Sequence, residues 1–83
     1  MLQLRQGVLM QKLEQQAVLL DTHSARYFEL NQTAVDLVTA LQAGEPEDAL
    51  ISRLAAHYQV APDRLRADLA SLLAALREQA LLA

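Results

Sequence analysis

The sequence predicts an α+β fold in which a three-stranded antiparallel sheet is followed by three helices. Two observations predict it. Up to Leu30 the apolar residues come in short runs of Val, Leu and aromatic side chains separated by polar turn residues. From Asn31 onward they recur at the three- and four-residue spacing of helices. The links between the first three runs are too short for a crossover, so neighbouring strands must run antiparallel. Three strands alone are marginal in water, which requires the helices to cover one face of the sheet.

The first strand is expected over Val8–Leu13. Leu2 and Leu4 alternate with polar neighbours, the pattern of an extension of that strand. Glu14, Gln15 and Gln16 turn the chain into a second strand, Ala17–Asp21. Asp21-Thr22-His23-Ser24 is turn chemistry, without the glycine of the tightest hairpins. The third strand is expected over Ala25–Leu30. By the two-residue period Phe28 shares a face with Arg26 and Leu30, while Tyr27 and Glu29 point the other way. Phe28 and Leu30 then belong to the core and fix the register, because a slip of one residue would expose both.

Asn31 is a good N-cap for the first helix, whose apolar positions are Ala34, Val35, Leu37, Val38 and Leu41. Ala43-Gly44 ends it, with Gly44 available for a left-handed cap. Glu45-Pro46-Glu47-Asp48 opens the second helix, with Pro in the first turn and acids at the positive end of the dipole. Its core face is read as Ala49, Leu50, Leu54 and Ala55, with Ile51 and Tyr58 at the margins. Val60 turns inward from a linker. Ala61-Pro62-Asp63 opens the third helix, in which Leu65, Leu69, Leu72, Leu73 and Leu76 form one stripe. Arg66, Leu73 and Arg77 border the stripe on one side, and Asp68, Leu72 and Gln79 on the other. Leu81 and Leu82 fold back onto the core.

With 83 residues, of which 53% are hydrophobic, the chain is expected to form one domain, residues 1–83, without metal or disulfide support. There is no cysteine, and no apolar run approaches the roughly 18 residues of a membrane span. The start of the chain lacks the basic head and long apolar core of a signal peptide, so a cytoplasmic location is expected. A net charge of −3 argues against nucleic-acid binding, which usually needs a basic face. Catalytic groups do not assemble either. His23 and His57 have no ligand-spaced partners, and Ser24 and Ser71 have no base nearby in sequence. Two glycines cannot build a phosphate-cradling loop. Glu45, Glu47 and Asp48 read as a helix start. The expectation is a non-catalytic protein with no cofactor and no metal site.

What remains is the third strand, pinned at one end to a helix with nothing evident to pair with its outer side. An open edge in so small a protein is either a hazard or the function. One border of the third helix should face that edge, leaving a groove with an apolar floor and a polar rim. Such a groove suits an extended peptide, with main-chain bonds giving affinity and alternate side chains giving specificity.

The run Leu19-Leu20-Asp21-Thr22, then Arg26-Tyr27-Phe28-Glu29-Leu30-Asn31 and Thr33-Ala34, resembles the PqqD-like family. These are small leader-peptide recognition domains (RiPP recognition elements) of ribosomal peptide natural-product pathways. The resemblance continues through Gly44, Leu54 and His57-Tyr58-Gln59-Val60, then Asp68-Leu69, Leu72-Leu73, Leu76 and Leu81-Leu82. The stand-alone recognition protein of lasso-peptide pathways is the most similar branch. Two departures are Ala25, where relatives often have Gly, and Gln79-Ala80-Leu81, where they often have Gly before the final apolar pair.

The resemblance implies a winged-helix-like domain with the same strand and helix order. It implies that a precursor's leader adds as a fourth strand, antiparallel to the third, and packs against the third helix. Carried over, the edge maps to Ala25, Arg26, Tyr27, Phe28, Glu29 and Leu30, and the helix wall to Arg66, Leu69, Leu72, Leu73 and Leu76. It further implies delivery of the precursor to a leader peptidase, with a separate cyclase closing the ring, and no chemistry by this chain. Alternatives are a peptide chaperone for another peptide-modifying enzyme, an adaptor using the same edge on a different partner, and a winged-helix nucleic-acid binder. The last would use the third helix, where Arg64, Arg66 and Arg77 are offset by Asp63, Asp68 and Glu78. Self-pairing into a homodimer is another use open to the edge in the absence of peptide.

Overall fold

A change of period at Asn31 divides the molecule into a sheet and a helical layer. The computed structural model describes residues 1–83. Strands β1 (Val8–Lys12), β2 (Gln16–Asp21) and β3 (Arg26–Asn31) form an antiparallel sheet in the order β1-β2-β3. Helices α1 (Gln32–Gln42), α2 (Glu47–Tyr58) and α3 (Pro62–Glu78) follow. This is the α+β architecture the sequence predicts. No helix is long and apolar enough to cross a membrane.

The strand register sorts the sheet into two faces. Met10, Leu19 and Phe28 lie in one row, and Lys12, Ala17 and Leu30 in the next. Val8, Ala17, Leu19 and Leu30 are buried from this face against Val35 and Val38 of α1 and Leu76 of α3. The opposite face is open to solvent, and Leu9, Leu20 and Tyr27 form an exposed apolar row across it. A second cluster joins the helices: Leu37 and Ala40 of α1, Leu50, Ile51, Leu54 and Ala55 of α2, and Leu65 and Leu69 of α3.

Asn31 caps α1 through its side-chain oxygen, which accepts from the Ala34 N–H at 2.8 Å. Strand β3 therefore runs into α1 without a loop. Pro62 occupies the first turn of α3, where its missing N–H costs nothing. Pro46, expected in the first turn of α2, is instead its extended N-cap and lies just outside that turn.

Two further sequence expectations are corrected. Ile51 is fully buried, whereas Ala49 is exposed. The core stripe of α2 is centred on Leu50, Ile51, Leu54 and Ala55 because the helix is packed by both α1 and α3, which widens its buried face. Leu2 and Leu4 do not extend β1. The chain turns at Gln6-Gly7, where Gly7 adopts φ +91°, and Leu4 instead pairs with Leu82 across the molecule. That bridge and the Arg5 N–H to Leu81 carbonyl bond hold Leu81 in the core, as the inward fold of Leu81 and Leu82 requires.

Candidate functional site

The alternation of main-chain bonds decides what β3 offers to its open side. In the β1–β2 ladder the Thr22 N–H donates to the Gly7 carbonyl, and the Leu13 N–H donates to the Gln16 carbonyl. Residues of an antiparallel strand turn both main-chain groups to alternate sides. Gln16, Val18 and Leu20 therefore serve β1, and Ala17, Leu19 and Asp21 serve β3. Their partners Leu30, Phe28 and Arg26 direct their main-chain groups to β2. Tyr27 and Glu29 are left with N–H and C=O groups facing outward, and Asn31 with its N–H, since its carbonyl starts helix α1.

Helix α3 stands off from that edge. No pair of Cα atoms from α3 and β3 lies within 8 Å, leaving a cleft. A cavity of about 430 Å³ opens there. Glu29 and Asn31 line it from β3, Thr33, Ala34 and Leu37 from α1, and Arg64, Asp68, Ser71 and Leu72 from α3. Its floor is apolar through Ala34, Leu37 and Leu72, and its rim is polar. A smaller cavity of about 150 Å³ lies at the other end of β3, between Arg26, Tyr27 and Phe28 and the end of α3 at Gln79 to Leu81. The Arg26 guanidinium spans this end and donates to the Gln79 side-chain oxygen at 3.4 Å.

The α3 flank that faces β3 thus carries Arg64, Asp68, Ser71, Leu72 and Gln79, the border the sequence grouped as Asp68, Leu72 and Gln79. Among the helix residues named from sequence, Leu72 is half-buried and reaches the cleft. Leu69 and Leu76 are fully buried in the two core clusters and present no surface. Arg66 faces α2, paired with Asp48 at 3.6 Å and with Asp63 at 3.5 Å. Leu73 lies beside Met1, Leu2, Leu41, Arg77 and Leu82, away from β3. The cause is azimuth: helical spacing defines a stripe, but the packing of α2 and α1 decides which border meets the sheet. Asp68 and Leu72 were legible as one border; Arg64 and Ser71 were missed, although they share it by the same helical spacing, at i, i+4, i+7 and i+8.

On β3, Phe28 is half-buried and Leu30 buried, so both point to the helices, while Tyr27 is 66% exposed on the outer face. Ala25 precedes the strand at φ +59°, a left-handed conformation that strains an alanine. Ala80 does the same at φ +58°. Both are conformations that a glycine adopts without that cost.

A pair distant in sequence braces the turn before β3. Asp21, the one buried charged residue, accepts from the Arg5 guanidinium at 2.6 Å and from the His23 N–H at 3.0 Å. The His23 N–H holds the carboxyl below the ordinary Asp range; burial opposes it, and the Ser24 hydroxyl and Arg5 each add a smaller lowering. Arg5 also donates to the Ala80 carbonyl at 2.7 Å, tying the turn to the end of α3. Nothing in the sequence pattern pointed to Arg5. Elsewhere the Tyr58 hydroxyl donates to Asp36, which pins α2 to α1 and raises the Tyr58 pKa. No group of three His, Asp or Glu side chains is placed to hold a metal.

Comparison with known proteins agrees with this architecture. No curated protein matches the chain in sequence. A solved structure described as lasso peptide synthetase B1 complexed with the leader peptide is 28% identical, with a TM-score of 0.89. That match covers 99% of this chain and 96% of the other. A second, described as TbiB1 in complex with the TbiA(beta) leader peptide, has a TM-score of 0.82 at 24% identity and shares the fold. It covers 96% of this chain and 93% of the other. The family model for coenzyme PQQ synthesis protein D (PqqD) matches residues 16–82, and the chain belongs to that family.

Proposed function

We propose that this chain binds the leader segment of a ribosomally made precursor peptide as a fourth strand, antiparallel to β3. The observation that carries the reading is the juxtaposition of an unpaired β3 edge with the cleft beside α3. Backbone groups of Tyr27, Glu29 and Asn31 bond the peptide. Ala25, Arg26, Phe28 and Leu30 set the register of the edge, and Leu72 with its neighbours on α3 receives alternate side chains. Leu69 and Leu76 hold the helix in place from within. The two structurally similar proteins are described in complex with leader peptides, which supports the same use of the fold here.

A disordered leader must be ordered on binding, at a cost of about 2–5 kcal/mol. The cleft floor offsets it by burying apolar anchors, each contributing about 1.5–3 kcal/mol when fully enclosed. In this reading residues 1–83 act as one winged-helix-like unit in the cytoplasm. The unit performs no chemistry and belongs to a lasso-type pathway. It presents the precursor to a leader peptidase, and the cyclase acts afterwards. An edge-paired homodimer competes with the peptide for the same main-chain groups. A nucleic-acid role has less support, because Arg66 is neutralised by Asp48 and Asp63 and α3 gains no basic face.

Isothermal titration with a synthetic leader, taken from a precursor encoded beside the gene, tests the proposal. Saturable one-to-one binding is expected. The absence of heat and of any spectral change at high micromolar protein would refute the assignment for that peptide.

A further inference from the structure

We propose that Arg26 reads the direction of the bound strand. The segment taken by the cleft carries an Asp or Glu side chain opposite Arg26, with apolar side chains two and four residues before it. This inference rests on the peptide-binding reading above.

Arg26 shares the helix-facing side of β3 with Phe28 and Leu30. A strand antiparallel to β3 lays its side chains over the cleft in a fixed order, first opposite Leu30, then Phe28, then Arg26. The first two meet apolar surface, from Phe28, Ala34 and Leu72. The third meets a guanidinium. Arg5, Arg53 and Arg66 each have a carboxylate within 4.0 Å, whereas Arg26, Arg64 and Arg77 have none; of these three only Arg26 stands on β3 itself. Its partner is the neutral Gln79 side chain at 3.4 Å, long for a hydrogen bond.

The two ends of the cleft differ in charge. Near Arg26 two guanidiniums, those of Arg5 and Arg26, face one carboxylate, Asp21. Near Asn31 one carboxylate, Asp68, offsets one guanidinium, Arg64, while the Glu29 side chain lies on the outer face of the sheet. A peptide carboxylate at the Arg26 end displaces Gln79 and forms a charge-assisted bond, which is stronger than a neutral one. The same peptide laid parallel to β3 would bring that carboxylate to the Asn31 end, where Asp68 already offsets Arg64. The charge pattern therefore favours one direction as well as one residue type.

The test is display selection of short random-sequence peptides on the immobilised full chain. Selected peptides are then titrated as Glu and Gln versions against the wild type, Arg26→Gln and Arg26→Glu. Enrichment of Asp or Glu two and four residues after apolar anchors is expected. Glu→Gln in the peptide and Arg26→Gln in the protein should each weaken binding roughly threefold to tenfold. The two losses should not add, because they remove the same pair. Arg26→Glu should invert the preference towards Lys or Arg. If Arg26→Glu fails to fold, the Arg26→Gln titration decides the same point. Peptides that are enriched and lost with Tyr27→Pro, yet show no acidic preference, overturn this inference and leave the peptide-binding reading intact. Enrichment of no peptide at all overturns both.

Discussion

Replacing Tyr27 by Pro separates the edge from the fold. The Tyr27 N–H points away from β2, so the substitution removes one main-chain donor from the open side while the β2–β3 ladder keeps its bonds. Arg26 already lies in extended conformation, which the residue before a proline favours. The side chain is 66% exposed, so its loss costs chiefly the cross-strand contact with Leu20, about 0.2–1 kcal/mol. Binding loses more. A peptide carbonyl stripped of its partner at the rim of the cleft costs about 1–3 kcal/mol, or roughly five- to 150-fold in Kd. Two controls frame the result. Tyr27→Ala keeps the edge donor and should bind within a few-fold of wild type. Phe28→Pro removes a ladder bond to β2, leaves its buried partner unsatisfied and should destabilise the fold by about 1–3 kcal/mol. Thermal melts and peptide titrations of the three variants are the assays. A folded Tyr27→Pro protein with unchanged Kd would refute strand addition at β3.

Leu72→Ala should weaken peptide binding about fivefold through lost apolar contact, whereas Arg66→Ala, on the opposite flank of α3, should leave Kd unchanged in the same titration. Ala25→Gly should raise Tm by a few degrees: relief of the left-handed strain, about 1–2 kcal/mol, outweighs the greater freedom of glycine in the unfolded chain, about 0.4–1 kcal/mol. A fall in Tm would contradict the backbone assignment at φ +59°. The folded Asp21 carboxyl has a pKa below its ordinary 3.8. Its contribution is therefore complete above that value and is lost as the pH falls through the lower, folded one. Urea midpoints measured from pH ~5 to pH ~2 should drop less steeply for Asp21→Asn than for the wild type.

The element order was legible because each segment signals its own period: Phe28 and Leu30 alternate, and Leu65, Leu69 and Leu76 recur on one helical face. Asn31 was legible as a cap because its chemistry is local. The open edge of β3 followed from the strand order. Features set by remote neighbours were not legible. Ile51 became core because two helices enclose α2, which its own periodicity cannot register. Asp21 read as a turn residue, yet Arg5, 16 residues away, makes it a buried partner. The flank of α3 that meets the cleft depends on how α1 and α2 rotate that helix. Period alone left Arg66 and Leu72 as equal candidates on opposite borders.

Amide hydrogen exchange read residue by residue tests the central claim most directly. In the free protein the Phe28 and Leu30 amides, bonded to β2, should exchange slowly, and those of Tyr27, Glu29 and Asn31 should exchange fast. Saturation with a leader peptide should slow the second set and leave the first nearly unchanged. Peptide binding that leaves Tyr27, Glu29 and Asn31 exchanging as before, or that protects Met10 and Lys12 on the β1 edge instead, would contradict the account.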